Sequence, residues 1–489
     1  MQTLAKAIAM AAGSILVAGA AQAAARTSTA PSQPPSGRYV VVFKSDVLPA
    51  DAGTRIAKNG GKLTRAFDQV GVTIVQGDAA FATRMAKDTK VLSVGIEHFF
   101  RLPAAVSLEL SADGAAAEGA PTAADGLYGA YQWDMRRLGA PAVWARLPVA
   151  ATQPRVAVLD VGVMDTHPDL VGQVDNSVST AYCTTNGPNN APGYPIYASL
   201  IDLDAHPNWS PADGCTAVAA TYESHGTHVA GTIAAKFGGG LMVGVAPDAK
   251  IGAFKVFDRY RYTDPVDGLV DTVGAFDGPL FSAIILATQA GYPVISMSLG
   301  SHVLRNDKGS NASWLAWDRV AKWANRNGAL LIASSGNSAY DLNGTLAHVP
   351  SDLPTVMSTS ATGTSQLVLA SGVRSAAAGS DTLASYSNYG SSVDIAAPGG
   401  DCSPDPNCAD VHYFIANDGI SSTGTASYFL MAGTSMATPH VSAVAAYVRS
   451  MHPDWTPGTV RSWLKETAQP IGSRQYFGAG MVDVDAAAR

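Results

Sequence analysis

Six short apolar runs set the character of the chain from about residue 127 onward: "RVAVLD", "IGAFKVF", "PVISMSLG", "GALLIASSGN", "TVMSTSA" and "VDIAAPG". None alternates apolar with polar residues, so none reads as a strand with one wet face. Runs of this kind form parallel strands covered on both sides. Helical stretches fall between them, among them 279–290 and 313–326. Strands alternating with helices predict a three-layer α/β domain, a mostly parallel central sheet between layers of helix. Ligands in such folds sit beyond the carboxyl ends of the strands. The residues just after each run are therefore the ones to inspect for chemistry.

Residues 38–103 keep a different rhythm. "RYVVVFK" reads as a strand, 49–59 as a short helix, "KLTRAF" and "VTIVQG" as strands, "AAFATRMAKD" as a helix and "VLSVGIEHF" as a last strand. The order βαββαβ is the split βαβ arrangement, a small α+β (ferredoxin-like) unit. The run that follows, "AAVSLELSADGAAAEGAPTAADG", is rich in Ala, Gly and Asp and reads as an exposed, cleavable linker.

The first residues, "MQTLAKAIAMAAGSILVAGAAQA", carry Lys6, an apolar run and the small-x-small ending Ala21-Gln22-Ala23. That is a secretory signal pattern. The run is shorter than the ~20 residues a membrane span needs. The expected organisation is a signal peptide at 1–23, a second segment at 24–126 and the α/β domain at 127–489. Export leads to the extracellular space, by way of a periplasm where there is one, with no membrane attachment after the signal is removed. A net charge of −7 without a basic patch gives no footing for nucleic acid.

Four cysteines, Cys183, Cys215, Cys402 and Cys408, form an even set suited to an oxidising compartment. Their spacing lacks the C-x-x-C pair of a zinc site. Disulfides are expected, with three pairings open and nearest neighbours, Cys183–Cys215 and Cys402–Cys408, the simplest.

Three residues stand where chemistry should be. Asp160 ends the strand "RVAVLD", and a carboxylate there is costly to bury without a partner. His225 opens the helical stretch "HGTHVAGTIAA", beside a glycine that admits another segment closely. Its neighbour His228 is three residues on, not the four of a zinc-protease helix. Ser435 lies in "MAGTSMATPH", at a helix start whose free N–H groups favour an anion. Pro439 is expected to fall where its missing N–H is not needed. A serine hydroxyl attacks only when an imidazole takes its proton and a carboxylate orients that imidazole.

The ordered blocks "VAVLDVGV…HPDL", "SHGTHVAGTIAA", "VISMSLG", "ASSGN", "ASYSNYGSSVDIAAPG" and "GTSMATPHVSAVAA" together resemble the subtilisin-like serine proteases over residues 130–489. Residues 38–103 are similar, more loosely, to that family's inhibitory propeptide. The resemblance implies Asp160 as orienting carboxylate, His225 as general base and Ser435 as nucleophile, with Asn337 as a side-chain oxyanion donor. It implies Ser298, Leu299 and Gly300 as the strand that pairs with the substrate backbone. Ser334, Ser335 and Gly336 then form the opposite wall of the first specificity pocket. Substrates are proteins or peptides, the propeptide serves as chaperone and inhibitor, and a monomer is expected. No cofactor is needed for catalysis and no metal ligand set is assigned. Asp169 matches a position that often ligates structural calcium in relatives, while Asp202, Asp204 and Asp213 read as a solvated acidic loop. The stretch "DRYRYTDPVDGLVDTVGAFD" departs from the family as a longer connection near the cleft.

Other hydrolase classes fit less well. An esterase or lipase of the α/β-hydrolase type wants G-x-S-x-G and its Asp and His after the serine, whereas residues 433–437 read G-T-S-M-A. The sedolisin type lacks the histidine that "SHGTHVAG" supplies. A peptide-binding pseudoprotease has no use for the full set Asp160, His225, Ser435 and Asn337.

Overall fold

The computed structural model of the protein describes residues 37–102, 106–110, 128–181, 200–202, 223–264, 268–305, 308–402, 408 and 410–489. The signal segment 1–23, Cys183, Cys215, Asp204 and Asp213 lie outside the described residues.

The N-terminal unit follows the expected order: β1 (Arg38–Phe43), α1 (Ala52–Lys58), β2 (Gly61–Phe67), β3 (Val72–Gly77), α2 (Phe81–Met85) and β4 (Val91–Ile96). Its four strands form one antiparallel sheet in the order β2-β3-β1-β4. β1 is buried along its whole length, and the reason is in its partners. Tyr39, Val41 and Phe43 face Ile56, Phe81 and Met85 of the unit's own helices. Val40 and Val42 share a second core with Leu280, Phe281 and Trp317 of the large domain. The unbroken apolar run "YVVVF" is thus a strand with a partner on each side, which identifies the docking face of the small unit.

Beyond it, β5 (Phe99–Arg101) and β6 (Val106–Leu110) leave this sheet and join the large domain. The linker was expected to be structureless from 104 on. Instead β6 pairs antiparallel with a strand of the large domain, and its sequence V-S-L-E-L does alternate with period two. An isolated five-residue alternation has little weight in sequence, and here a ready edge makes it a strand.

The central sheet of the large domain contains β7 (Arg155–Asp160), β8 (Thr180–Ala181), β10 (Lys250–Lys255), β13 (Val294–Met297), β15 (Leu330–Ser334), β17 (Val356–Thr364), β18 (Asp381–Leu383) and β19 (Ile395–Pro398). The order is β18-β17-β15-β13-β7-β10-β8, with β19 also on β17. Every pairing is parallel except that of β17 with β18. All six apolar runs are strands of this sheet. One face is covered by α4 (His225–Ala234) and α7 (Thr434–Met451), the other by α5 (Asp277–Gln289) and α6 (Lys308–Arg326). Three layers result, as expected.

The long connection at 258–276 is a hairpin, β11 (Asp258–Asp264) and β12 (Gly268–Phe276). It carries β9 (Leu200–Asp202) on one edge and β5 on the other, so Asp202 lies in a strand and not in an acidic loop. Cys402 and Cys408 form a disulfide. Among the described residues no helix is long and apolar enough to cross a membrane.

Candidate active site

Asp160, His225, Asn337 and Ser435 reach the same end of the sheet, on strand and helix ends. Asp160 is the last residue of β7, and Val161 N donates to its Oδ1 at 2.8 Å. His225 is the first residue of α4. Ser224, just before it, binds Ile420 at both its N–H (2.9 Å) and its carbonyl (2.8 Å), fixing the helix start. His225 Nδ1 lies 2.9 Å from each carboxylate oxygen of Asp160. A side chain at Gly226 would strike the Gly162 carbonyl at 2.2 Å, so only glycine lets α4 approach β7 this closely.

Burial by itself disfavours an imidazolium at His225, but the charge and hydrogen bond of Asp160, then the charge of Glu223, outweigh it and raise the pKa above its ordinary value. Glu223 is held close by the His225 N–H, which donates to Oε1 at 3.0 Å. His225 Nε2 is buried and has no hydrogen-bond partner among the described residues. His228 differs: burial pushes its pKa down to about 3, and its Nε2 donates to the Ile415 carbonyl at 3.1 Å. It is a neutral packing residue.

Ser435 is the second residue of α7, which begins after the extended Gly433. The hydroxyl is not bonded to His225; it donates to the Ser298 carbonyl at 3.3 Å. In return Ser298 Oγ donates to the Ser435 carbonyl at 2.8 Å. This corrects the expectation for Pro439. Pro439 is the sixth residue of the helix, where its N–H would have met the Ser435 carbonyl. That carbonyl is satisfied from outside, by Ser298.

Asn337 follows β15. Its Oδ1 accepts from Thr434 N at 2.9 Å and Thr434 Oγ1 at 2.6 Å, which fixes the side-chain amide by its oxygen end. A methyl group on Gly433 would fall 3.2 Å from Asn337 Nδ2 and 3.6 Å from Ser435 N. The Asn337 amide nitrogen and the Ser435 backbone nitrogen therefore lie close to one point beside Gly433.

Ser298, Leu299 and Gly300 run beside Ser435 through the two serine bonds. Ser334, Ser335 and Gly336 lie opposite, with Ser334 Oγ donating to the Leu299 carbonyl at 3.3 Å. Gly336, at φ +101°, takes a conformation that L side chains rarely adopt, and its N–H donates to Thr434 Oγ1 at 3.3 Å. Sequence reading missed Thr434, Glu223 and Asn388. Asn388 Nδ2 donates to the Ser335 carbonyl at 2.8 Å, and its Oδ1 accepts from Ser338 N and Tyr340 N. A short polar residue in a loop gives no sign of such a partner in sequence.

Asp169 lies with His167 and Asp418, their ligand atoms within 4.8 Å of one another and all three buried. Asp169 Oδ2 accepts from the N–H groups of Leu241 and Met242, both at 3.3 Å. Burial, then the charge of Asp169, raise the Asp418 carboxyl well above its ordinary range. Calcium takes six to eight oxygens. One imidazole and two carboxyl groups, one of them already held by two backbone amides, fall short of that cage among the described residues.

The sequence profile described as the Subtilase family matches residues 151–480. The chain belongs to the subtilase family. It is a subtilisin-like serine endopeptidase. It is 28% identical to subtilisin NAT of Bacillus subtilis subsp. natto over 472 residues, covering 96% of this chain and 93% of that one. With subtilisin Savinase of Lederbergia lenta it shares 30% over 359 residues, covering 73% of this subtilase and 98% of the relative. Among solved structures, the epidermin leader peptide processing serine protease of Staphylococcus aureus superposes with a TM-score of 0.68 at 20% identity, over 94% of this chain and all of that one. Fervidolysin of Fervidobacterium pennivorans gives 0.60 at 22%, over 95% and 62%. At such identities the shared property is the fold.

Proposed function

We propose that Ser435 is the nucleophile of this subtilase, His225 its general base and Asp160 the carboxylate that orients the imidazole. The observation that carries this reading is His225, with Nδ1 bound to Asp160 and a buried Nε2 that has no partner among the described residues. Nε2 takes the proton of Ser435 Oγ as the oxygen attacks the peptide carbonyl. The C–N bond then breaks, and the same proton passes to the leaving amine. Water repeats the cycle to release the acyl group. The developing oxyanion is met by Asn337 Nδ2 and Ser435 N. The substrate backbone pairs along Ser298, Leu299 and Gly300 as an added strand. No step involves a metal.

The enzyme is made as a secreted, self-processing zymogen in this reading. Asp160, His225 and Ser435 are all sealed from solvent, at 1%, 2% and 1% exposure. The small unit seats Glu97 on the first free amide of α5, Gly278 N donating to Oε1 at 2.7 Å, and His98 N donates to Asp277 Oδ2 at 2.9 Å. Leu102 N then donates to the Val273 carbonyl at 2.8 Å, and Val106 pairs with Ala432, three residues before Ser435. Both flanks are pinned, so the cleaved bond lies between Leu102 and Val106. The mature chain then begins earlier than residue 127 and keeps β6 as its own edge strand. Expression of wild type and Ser435→Ala, with N-terminal sequencing, tests this. Wild type should yield a new N-terminus between residues 103 and 106 and the variant should stay uncut. A mature-sized Ser435→Ala product in a protease-free host would refute self-processing.

A further inference from the structure

Gly300 and Gly336 sit on the two chain segments that flank Ser435, and His348 lies against both, with Asn388 Nδ2 also close to Gly336. A Cβ on Gly300 would lie 2.0 Å from His348 Cε1, and a Cβ on Gly336 would lie 2.8 Å from His348 Nε2. The imidazole of His348 therefore stands between the two segments, in contact with both backbones. From this we infer that His348 fills the depth of the first specificity pocket and restricts cleavage to bonds that follow a small residue: glycine, alanine or serine. The inference rests on the assignment of Ser435 as nucleophile.

The ring is held and cannot swing aside cheaply. It is 2% exposed, and its Nδ1 meets Ser351 Oγ at 2.9 Å. His348 and His302 are direct cross-strand partners in β14 (Ser301–Leu304) and β16 (Leu346–Val349), with ring centroids 5.0 Å apart. His302 Nε2 accepts from Asn388 Nδ2 at 3.0 Å, and Asn388 also binds Ser335 of the pocket wall. A packed imidazole braced by a second imidazole and an asparagine leaves no room for an aromatic or long aliphatic side chain, since interiors of this density do not yield by a ring's volume.

A second observation points the same way. The bond proposed for self-cleavage lies between Leu102 and Val106, and the residues there are Pro103, Ala104 and Ala105. The residue before that bond is Leu102, Pro103, Ala104 or Ala105, and only the two alanines are small. A cut after Ala104 or Ala105 suits a shallow pocket, and the inference places the self-cleavage there.

The test is a matched peptide series that differs only in the residue before the scissile bond, alanine, serine, leucine or phenylalanine. Wild type should favour alanine over phenylalanine by about 100-fold in kcat/KM, the scale on which a pocket rejects an oversized group. His348→Gly should raise the phenylalanine-to-alanine ratio by a similar factor of about 100. A wild-type preference for phenylalanine or leucine overturns the inference, whatever the variant does. So does a His348→Gly enzyme whose ratio is unchanged while a small sulfonyl fluoride still labels Ser435 at the wild-type rate. Absence of that labelling in wild type would instead overturn the assignment of Ser435.

Discussion

Ser298 and Ser435 are joined twice: the Ser298 hydroxyl donates to the Ser435 carbonyl at 2.8 Å, and the Ser435 hydroxyl donates to the Ser298 carbonyl at 3.3 Å. The first bond replaces the helical one that Pro439 cannot make. The second holds the hydroxyl of the proposed nucleophile to the strand expected to receive substrate, so in the proposed mechanism that hydroxyl turns from Ser298 toward His225 before it loses its proton. One residue thus repairs a helix and holds the Ser435 hydroxyl.

Ser298→Ala leaves a buried carbonyl unpaired and should destabilise the protein by about 1–3 kcal/mol. In a Pro439→Ala background the amide of the new alanine meets the Ser435 carbonyl, so the same Ser298→Ala change should cost less than about half as much. Denaturant midpoints of the four proteins, compared in a Ser435→Ala background to prevent self-digestion, measure the coupling. Strict additivity would show that Ser298 does not serve the helix.

Asn337→Ala should lower kcat by about 10²–10³-fold with little change in KM, a magnitude known from subtilisin itself and not obtained from this chain. The loss falls on kcat because an oxyanion donor acts in the transition state. Steady-state kinetics on one peptide checks it; a change confined to KM would remove Asn337 from the oxyanion site.

With His225 as the proposed general base, the acid limb of the pH profile should follow its titration, since it must be neutral to accept the serine proton. Burial works against its charge, yet Asp160 and Glu223 raise its pKa above 6.5, so kcat/KM should climb with an apparent pKa above that value. Linkage has the opposite sign for stability. A raised folded-state pKa means that the stabilisation from charged His225 is complete below 6.5 and is lost as pH rises through the raised value. Glu223→Gln removes one of the raising charges and should move the acid limb to lower pH. An unmoved limb would show that Glu223 does not act on His225.

His440, in the middle of α7, faces Met436 O at 2.8 Å with Nδ1 and Asp134 Oδ2 at 2.9 Å with Nε2, and both His440 and Asp134 are fully buried. His440→Ala strands a buried carboxylate and should cost about 3–5 kcal/mol. Adding Asp134→Asn should recover part of that loss in thermal melts, and further destabilisation would refute the pairing.

Much of this was legible in the residues. The parallel sheet showed in runs such as "RVAVLD" because strands covered on both faces need no alternation. The βαββαβ unit showed in its own periodicities. Asp160, His225 and Ser435 each stood at an element end, and the close approach expected beside His225 is met by Gly226 and the Gly162 carbonyl. What sequence could not carry was pairing across long separations. Nothing near Pro439 announces that Ser298, 141 positions earlier, will complete its helix. The strand Val106–Leu110 is too short to read without the edge it joins. His348 looks like any strand histidine until Gly300 and Gly336 close on it from two other segments.

The most direct measurement is intact-mass and peptide-mapping analysis after treatment with a serine-directed sulfonyl fluoride. Wild type should gain one adduct, mapped to Ser435, in step with loss of peptidase activity, and Ser435→Ala should gain none. Equal labelling of the variant, or an adduct on another residue that tracks the loss of activity, would contradict the assignment of Ser435 as the nucleophile.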